Sequence, residues 1–257
     1  MTIHFGVKPS FDLVSTSAIM AFCRKVLKSV LLMVIGFGLI PAGAALAERA
    51  HILPVPVLDT APGQSVSDGA PPRQIAVLAG GCFWGIQGIF QHVKGVTSAV
   101  SGYSGGTAET AQYEIVSQGL SGHAEAVQIT YDPRQISYGK ILQIFFSVGL
   151  DPTELNRQGP DSGTQYRSEI FATNAEQAKV AAAYIAQLEA AKVYGAPIVT
   201  KVSALTAFYP AEDYHQDFMQ RHPTYPYIVI FDRPKVKNLK GVFPDLYRHD
   251  PVLVAQQ

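Results

Sequence analysis

Alternating runs of apolar and polar residues predict a series of strands and helices across residues 74–247. The first apolar run, Ile75–Ala79, has the length of a buried strand. Gly80 and Gly81 end it and permit a tight turn. Beyond them apolar residues recur every three or four positions, which is typical of one face of a helix. The same periods predict further strands at 97–101, 125–131, 169–172 and 198–205, and helices at 138–148 and 174–193.

This alternation predicts a mixed α+β fold in which helices pack on one sheet. Asn174 stands where the second long helix begins, and Gln177 follows at the capping-box position. Gly195 is expected to end that helix, because glycine readily adopts the left-handed conformation of a C-terminal cap.

The N-terminal residues have a different pattern. Basic residues precede the apolar run Val30–Ile40, and Ala45-Leu46-Ala47 gives a small-residue ending, so residues 1–47 are predicted to be a signal peptide cleaved after Ala47. An uncleaved anchor is the alternative, but the run is shorter than the ~20 residues of a spanning helix. Met20 is an alternative start.

Two further segments flank the predicted domain. The proline-rich residues 48–73 are expected to be a flexible linker, because such a composition buries little apolar surface. Residues 248–257 are expected to form a C-terminal tail. Removal of the signal peptide then leaves a periplasmic or secreted protein without stable membrane association.

The composition excludes several classes of function. The formal net charge is zero and the chain has no basic stripe, so nucleic acid is not an expected partner. The seven histidines are not spaced as metal ligands, and no dinucleotide or phosphate-binding motif occurs. We therefore expect neither a metal nor a bound cofactor.

Cys82 is the candidate nucleophile. It lies between the first strand and the first helix, where free N–H groups and the helix dipole favour an anion. This position predicts a pKa below the ordinary thiol value. Cys23 falls in the signal segment, so Cys82 is the only cysteine of the mature chain, which is unusual in an oxidising compartment.

Ser104 offers an alternative nucleophile. Residues 102–106 satisfy the G-x-S-x-G pattern of serine hydrolases, and Asp161 or Asp213 with a later histidine completes a workable triad order. A nucleophile elbow requires a helix directly after the motif, but the residues that follow residue 106 show no helical periodicity. A serine hydrolase using Ser104 stays the alternative function.

Five segments stand out in order along roughly residues 74–222: 81–85 (GCFWG), 102–106 (GYSGG), 122–127 (GHAEAV), 161–168 (DSGTQYRS) and 211–216 (AEDYHQ). Together these segments resemble the motifs of the peptide methionine sulfoxide reductase A family. This resemblance implies a two-layer α/β sandwich with a ferredoxin-like plait at its core. It also implies reduction of the S epimer of methionine sulfoxide, free or within proteins.

The resemblance assigns a role to each candidate residue. Cys82 would be the nucleophile, and Glu125, uncharged because it is buried, would protonate the sulfoxide oxygen. Phe83 and Trp84 would form the pocket for the substrate methyl group. Tyr113 and Tyr166 would hydrogen-bond the oxygen, and Asp161 would help to position the site.

One departure from the family concerns the second half of the reaction. Many members carry resolving cysteines near the C-terminus, whereas residues 221–257 contain none. The sulfenic acid on Cys82 would then need an external thiol, from a thioredoxin-like or glutaredoxin-like partner. A non-catalytic binder of oxidised peptides is a third hypothesis.

Overall fold

A six-stranded sheet organises the part of the chain that the computed structural model describes, residues 49–60 and 73–254. The eight strands are β1 Gln74–Gly80, β2 Val96–Ser104, β3 Ala124–Tyr131, β4 Arg157–Gln158, β5 Asp161–Ser162, β6 Ser168–Ala172, β7 Lys201–Ala204 and β8 Phe208–Pro210. The large sheet has the order β7-β6-β1-β3-β2-β8, and β4 and β5 form a separate hairpin. All neighbours are antiparallel except β6 and β7.

Within the described residues, six α-helices accompany these strands: α1 Phe83–Gln91, α2 Tyr113–Val116, α3 Tyr138–Ile144, α4 Ala175–Ala190, α5 Phe218–Arg221 and α6 Arg233–Val242. A π-helical turn at Phe145–Gly149 extends α3, and another at Ile228–Asp232 leads into α6. Short 3₁₀ turns lie at Ala108–Thr110, Thr164–Tyr166 and Asp213–His215. The mixed α/β fold predicted from the alternating pattern is therefore confirmed.

The helix ends show how local sequence sets the boundaries. The Asn174 side chain accepts from Gln177 N at 2.9 Å, so the predicted N-cap of α4 is present. The prediction that Gly195 ends this helix is wrong. The helix stops at Ala190, and Lys192 takes the left-handed conformation (φ 51°) in place of a glycine.

The sheet separates a large core from a small one. On one face Ala76 and Leu78 of β1 join the side chains of α1, α3 and α4 in the main hydrophobic cluster. On the other face Val77 and Ala79 pack with Phe171 in a small cluster. Since successive strand residues point to opposite faces, β1 is buried on both sides, which accounts for its unbroken apolar sequence.

The predicted signal peptide, residues 1–47, lies outside the described residues and stays a prediction. Within residues 49–60 and 73–254, no helix combines the length and apolar character needed to cross a membrane. The C-terminal segment 248–254 is not a detached tail: Arg248 N and Val252 N donate to the carbonyls of His92 and Gln91, at the end of α1.

Half of the predicted linker is an ordered strap. Residues 49–60, here called the N-terminal strap, pack against α3 and α4. Leu53 is only 5% exposed and belongs to the main core. The linker prediction missed these contacts because the strap relies on backbone hydrogen bonds to distant side chains, which composition does not reveal. In three of these bonds a strap carbonyl accepts from a distant side chain: Gln143 Nε2 to Leu53 O (2.8 Å), Tyr184 Oη to Pro54 O (2.9 Å) and Gln187 Nε2 to Val55 O (2.9 Å). In addition the side chain of Asp59 accepts from Gly139 N, at the start of α3, through Oδ1 at 2.7 Å.

A pair of substitutions tests whether the strap belongs to the folded unit. Leu53→Ala should lower the free energy of unfolding by about 2 kcal/mol or more, because it leaves a cavity in the core. Ile52→Ala is the matched control, since Ile52 is 88% exposed. It should change the free energy by less than about 0.5 kcal/mol. Urea unfolding measures both, and equal effects would contradict the strap.

Candidate active site

A glycine turn between β1 and α1 places the thiol of Cys82. Gly81 has a φ of +87°, and a Cβ there would come within 2.5 Å of Gln158 Cβ. A Cβ on Gly80 would meet the Phe145 ring at 2.8 Å. Both positions thus require the absence of a side chain. The chain turns sharply, and Cys82 lies at the position directly before α1, as the sequence predicts.

Strand β3 brings Glu125 to the same turn. β3 pairs with β1 in the register Leu78 opposite Val127, so Glu125 lies beyond that pair, toward the end of β1. Its Oε2 accepts from Phe83 N at 3.0 Å, and the residue is 2% exposed. Burial, together with the charges of Asp161 and Asp232, raises the pKa of Glu125 to about 8 despite that hydrogen bond. The expectation that Glu125 is buried and uncharged is supported by this geometry.

The prediction of a lowered thiol pKa is wrong. The pKa of Cys82 lies well above the ordinary thiol value, chiefly because the side chain is buried. The charges of Asp232 and Glu125 raise it further, and the hydrogen bond from Trp84 N only partly offsets them. The helix start therefore does provide a donor, but desolvation and two carboxyl groups outweigh it. At rest the site holds a thiol.

Tyr113 and Tyr166 both lie next to this pair. Tyr113 begins α2, and Tyr166 ends the 3₁₀ turn before β6. Burial and the charges of Glu125 and Cys82 raise the pKa of Tyr113 to about 12. The pKa of Tyr166 is raised by burial, by Glu125 and Asp161, and by Cys82. Both phenols therefore stay protonated and can act as hydrogen-bond donors at neutral pH.

Asp161 is the first residue of β5 and accepts a hydrogen bond from the Tyr227 hydroxyl. Burial raises its pKa, while the bond from Tyr227 and the charge of Lys235 lower it. The charge of Cys82 also acts on Tyr227, whose pKa is raised mainly by burial. The sequence prediction missed Tyr227, which is half-buried. The apolar run that follows it was the only local signal.

Asp232 is a second residue that the sequence analysis missed. It is 1% exposed and ends the π-helical turn before α6. A Cβ on Gly85 would clash with its carboxylate, so the glycine of the GCFWG segment allows α6 to approach α1. No pattern in the sequence indicates that this aspartate faces the thiol.

An aromatic cluster forms one wall of the site. Trp84 is half-buried and stacks on Phe218 with ring centroids 3.8 Å apart and an interplanar angle of 6°. Its Nε1 donates to Nδ1 of the buried His215 at 3.2 Å. Phe83 lies beneath, fully buried, with its ring 5.0 Å from that of His215. His215 thus fixes the Trp84 indole through this hydrogen bond.

Comparison with known proteins decides the family. The model of the peptide methionine sulfoxide reductase family matches residues 74–245. The chain belongs to the peptide methionine sulfoxide reductase A family. A relative named peptide methionine sulfoxide reductase MsrA 2 from Mesorhizobium japonicum is 61% identical over 72% of this chain and 95% of its own length. A protein of the same name from Synechocystis sp. is 53% identical over 76% and 89%.

Solved structures agree with this family membership. Reduced Mxr1 from Saccharomyces cerevisiae is 30% identical with a TM-score of 0.55, covering 60% of this chain and 90% of that one. Methionine sulfoxide reductase A of Corynebacterium diphtheriae is 29% identical with a TM-score of 0.53, covering 69% and 89%. The predicted resemblance is confirmed: the chain is a methionine sulfoxide reductase, and therefore an enzyme and not only a binder of oxidised peptides.

The alternative of a serine hydrolase finds no support in this reductase. Ser104 lies at the end of β2, is fully buried, and donates its hydroxyl to Ala207 O at 2.9 Å. No helix follows directly, so the turn is not a nucleophile elbow.

Among the described residues no three His, Cys, Asp or Glu side chains are grouped to hold a metal ion.

Proposed function

We propose that the chain reduces the S epimer of methionine sulfoxide, free or in proteins, by forming a sulfenic acid on Cys82. The observation that carries this proposal is the buried pair of Cys82 and Glu125. Glu125 accepts a hydrogen bond from the N–H of Phe83, the residue directly after Cys82. The thiol faces a carboxyl group whose pKa of about 8 leaves it protonated at neutral pH. A sulfoxide needs both of these groups.

The chemistry follows from the polarity of the sulfoxide. Its sulfur is electrophilic, but its oxygen leaves poorly until it is protonated. The sulfur of Cys82 attacks the sulfoxide sulfur while Glu125 donates a proton to the oxygen, with Tyr113 and Tyr166 as further donors. The sulfur–sulfur bond formed in the attack and the sulfoxide S–O bond then break as the oxygen passes to Cys82, giving methionine and a sulfenic acid. The proton lost by the thiol replaces the one Glu125 donated, so this step neither consumes nor releases a proton.

Cys82→Ser tests the nucleophile. Because a serine hydroxyl cannot accept the oxygen, reduction of a blocked methionine sulfoxide should be abolished. After one stoichiometric pulse of sulfoxide without reductant, mass spectrometry should show one added oxygen on Cys82 in the wild type and none in the variant. Full turnover by the variant would refute the role.

Glu125→Gln tests the proton donor. Loss of a general acid should lower kcat/KM at pH 7 by roughly 10²- to 10⁴-fold. In the wild type kcat/KM should fall as the pH rises through about 8, because the acid form of Glu125 is lost there. The variant should lack that decline. If the variant keeps the same decline, Glu125 is not the titrating acid.

The sulfenic acid requires an external reductant under this proposal. Cys82 is the only cysteine among the described residues, and the segment 221–257 contains none. Two external thiols would return Cys82 to the thiol, giving one disulfide and one water. A thioredoxin-like or glutaredoxin-like protein fits this need.

We also propose that the enzyme works outside the cytoplasm, in the periplasm or secreted, where it repairs oxidised proteins. The support is the basic and apolar pattern of residues 1–47 with its Ala-x-Ala ending. Cleavage after Ala47 predicts a mature N-terminus at Glu48, which intact-mass measurement of the exported protein reads directly. A mass that includes residues 1–47 would favour the uncleaved anchor.

For the fold we propose a two-layer sandwich with a ferredoxin-like plait core. The antiparallel order β6-β1-β3-β2, with α1 between β1 and β2 and α3 between β3 and β6, supports it.

A further inference from the structure

The C-terminal segment reaches the aromatic wall of the site through one buried carboxylate. Val254 N donates to Asp217 Oδ1 at 3.0 Å, and Gln91 Nε2 donates to the same oxygen at 2.6 Å. Asp217 is 2% exposed. Its own backbone N donates to Gln87 Oε1 at 3.0 Å. This residue therefore ties Val254 to the last two turns of α1.

Asp217 also sets the start of α5. Its φ of +54° is left-handed, and its carbonyl accepts from the N–H groups of Gln220 and Arg221. A four-residue helix is too short to be stable alone, so α5 depends on the contacts at its ends. A left-handed non-glycine residue persists only where its surroundings hold it. The hydrogen bonds to Asp217 provide that support.

The next residue, Phe218, is the stacking partner of Trp84. A shift of Asp217 would therefore move the ring that lies 3.8 Å from the indole. We propose that Asp217 and the main chain of Val254 are positioning elements of the substrate pocket, which hold Phe218 and through it Trp84. This inference rests on the proposed role of Trp84 as a pocket wall.

The C-terminal segment 248–254 thus has a structural role that does not depend on a resolving cysteine. Residues 248–254 run along the C-terminal end of α1, where Arg248 N and Val252 N satisfy carbonyls of the last turn. Cys82 stands at the opposite end of that helix. The segment acts on the site through Asp217 and Phe218, and not by bringing its own side chains to the thiol.

Two truncations form a matched pair. Ending the chain after Val254 keeps the donor to Asp217, whereas ending it after Leu253 removes it. The shorter chain should show roughly three-fold or higher KM for a blocked methionine sulfoxide with little change in kcat, since the hydrogen bond from Val254 N to Asp217 Oδ1 is lost. Trp84 is the only tryptophan. Its emission and its quenching by acrylamide should change in the shorter chain alone.

Two substitutions separate the carboxylate from the backbone conformation. Asp217→Gly permits the left-handed backbone but removes the acceptor, and should reproduce the effects of the shorter truncation. Asp217→Asn keeps an acceptor oxygen and should restore much of the wild-type KM and emission. Wild-type emission and KM in both the shorter chain and Asp217→Gly would overturn the inference, even if their melting temperatures fall. Tryptophan emission is measured without turnover. A failure of the Asp217 inference is therefore distinguishable from a failure of the proposed role of Cys82, which is tested by activity.

Discussion

The hydrogen bond from Phe83 N to Glu125 Oε2 is the contact on which the site depends. It joins the first residue of α1 to a central strand of the sheet. The glycine turn at 80–81 directs the chain toward that strand, and β1–β3 pairing sets the height at which Glu125 stands. The bond also satisfies one of the free N–H groups at the helix start. One contact thus fixes the acid and, through the neighbouring residue, the nucleophile.

Burial then determines the protonation of both groups. Cys82 and Glu125 lie among other acidic side chains, Asp161 and Asp232, so a second negative charge in the recess is disfavoured. Lys235 is the cation whose charge reaches Asp161. The resting site therefore keeps a thiol beside a carboxylic acid. Charge develops only when a sulfoxide enters, and the surrounding phenols and N–H groups are already placed to stabilise it.

The site and cap residues that the sequence pattern indicated are those whose position depends on neighbouring residues in the chain. Cys82 follows an apolar strand and two glycines, so the pattern alone indicated it as a candidate nucleophile. The pattern placed Glu125 only at the start of an alternating strand, and its role as proton donor came from the family resemblance. Asn174 was likewise evident as a helix cap. The family resemblance added Tyr113, Tyr166 and Asp161, which have no distinctive local pattern.

What the sequence did not reveal depends on contacts across long separations. Tyr227 reaches Asp161 from a position 66 residues away, and the strap binds Gln187 from 130 residues away or more. The sequence also predicted a lowered pKa for the Cys82 thiol, whereas the pKa is raised. The helix start is visible in the sequence, whereas the burial and the facing Asp232 arise only when α6 packs on α1. Tertiary desolvation here outweighs a local electrostatic effect.

The protonation state of Cys82 tests the account most directly. The rate of iodoacetamide alkylation of the free thiol, measured against pH, gives the pKa in the folded protein and in the urea-unfolded chain. The midpoint should be higher in the folded protein, and Asp232→Asn should lower it, because the charge of Asp232 is removed. A folded midpoint below that of the unfolded chain would contradict the raised pKa of the Cys82 thiol and with it the neutral pair.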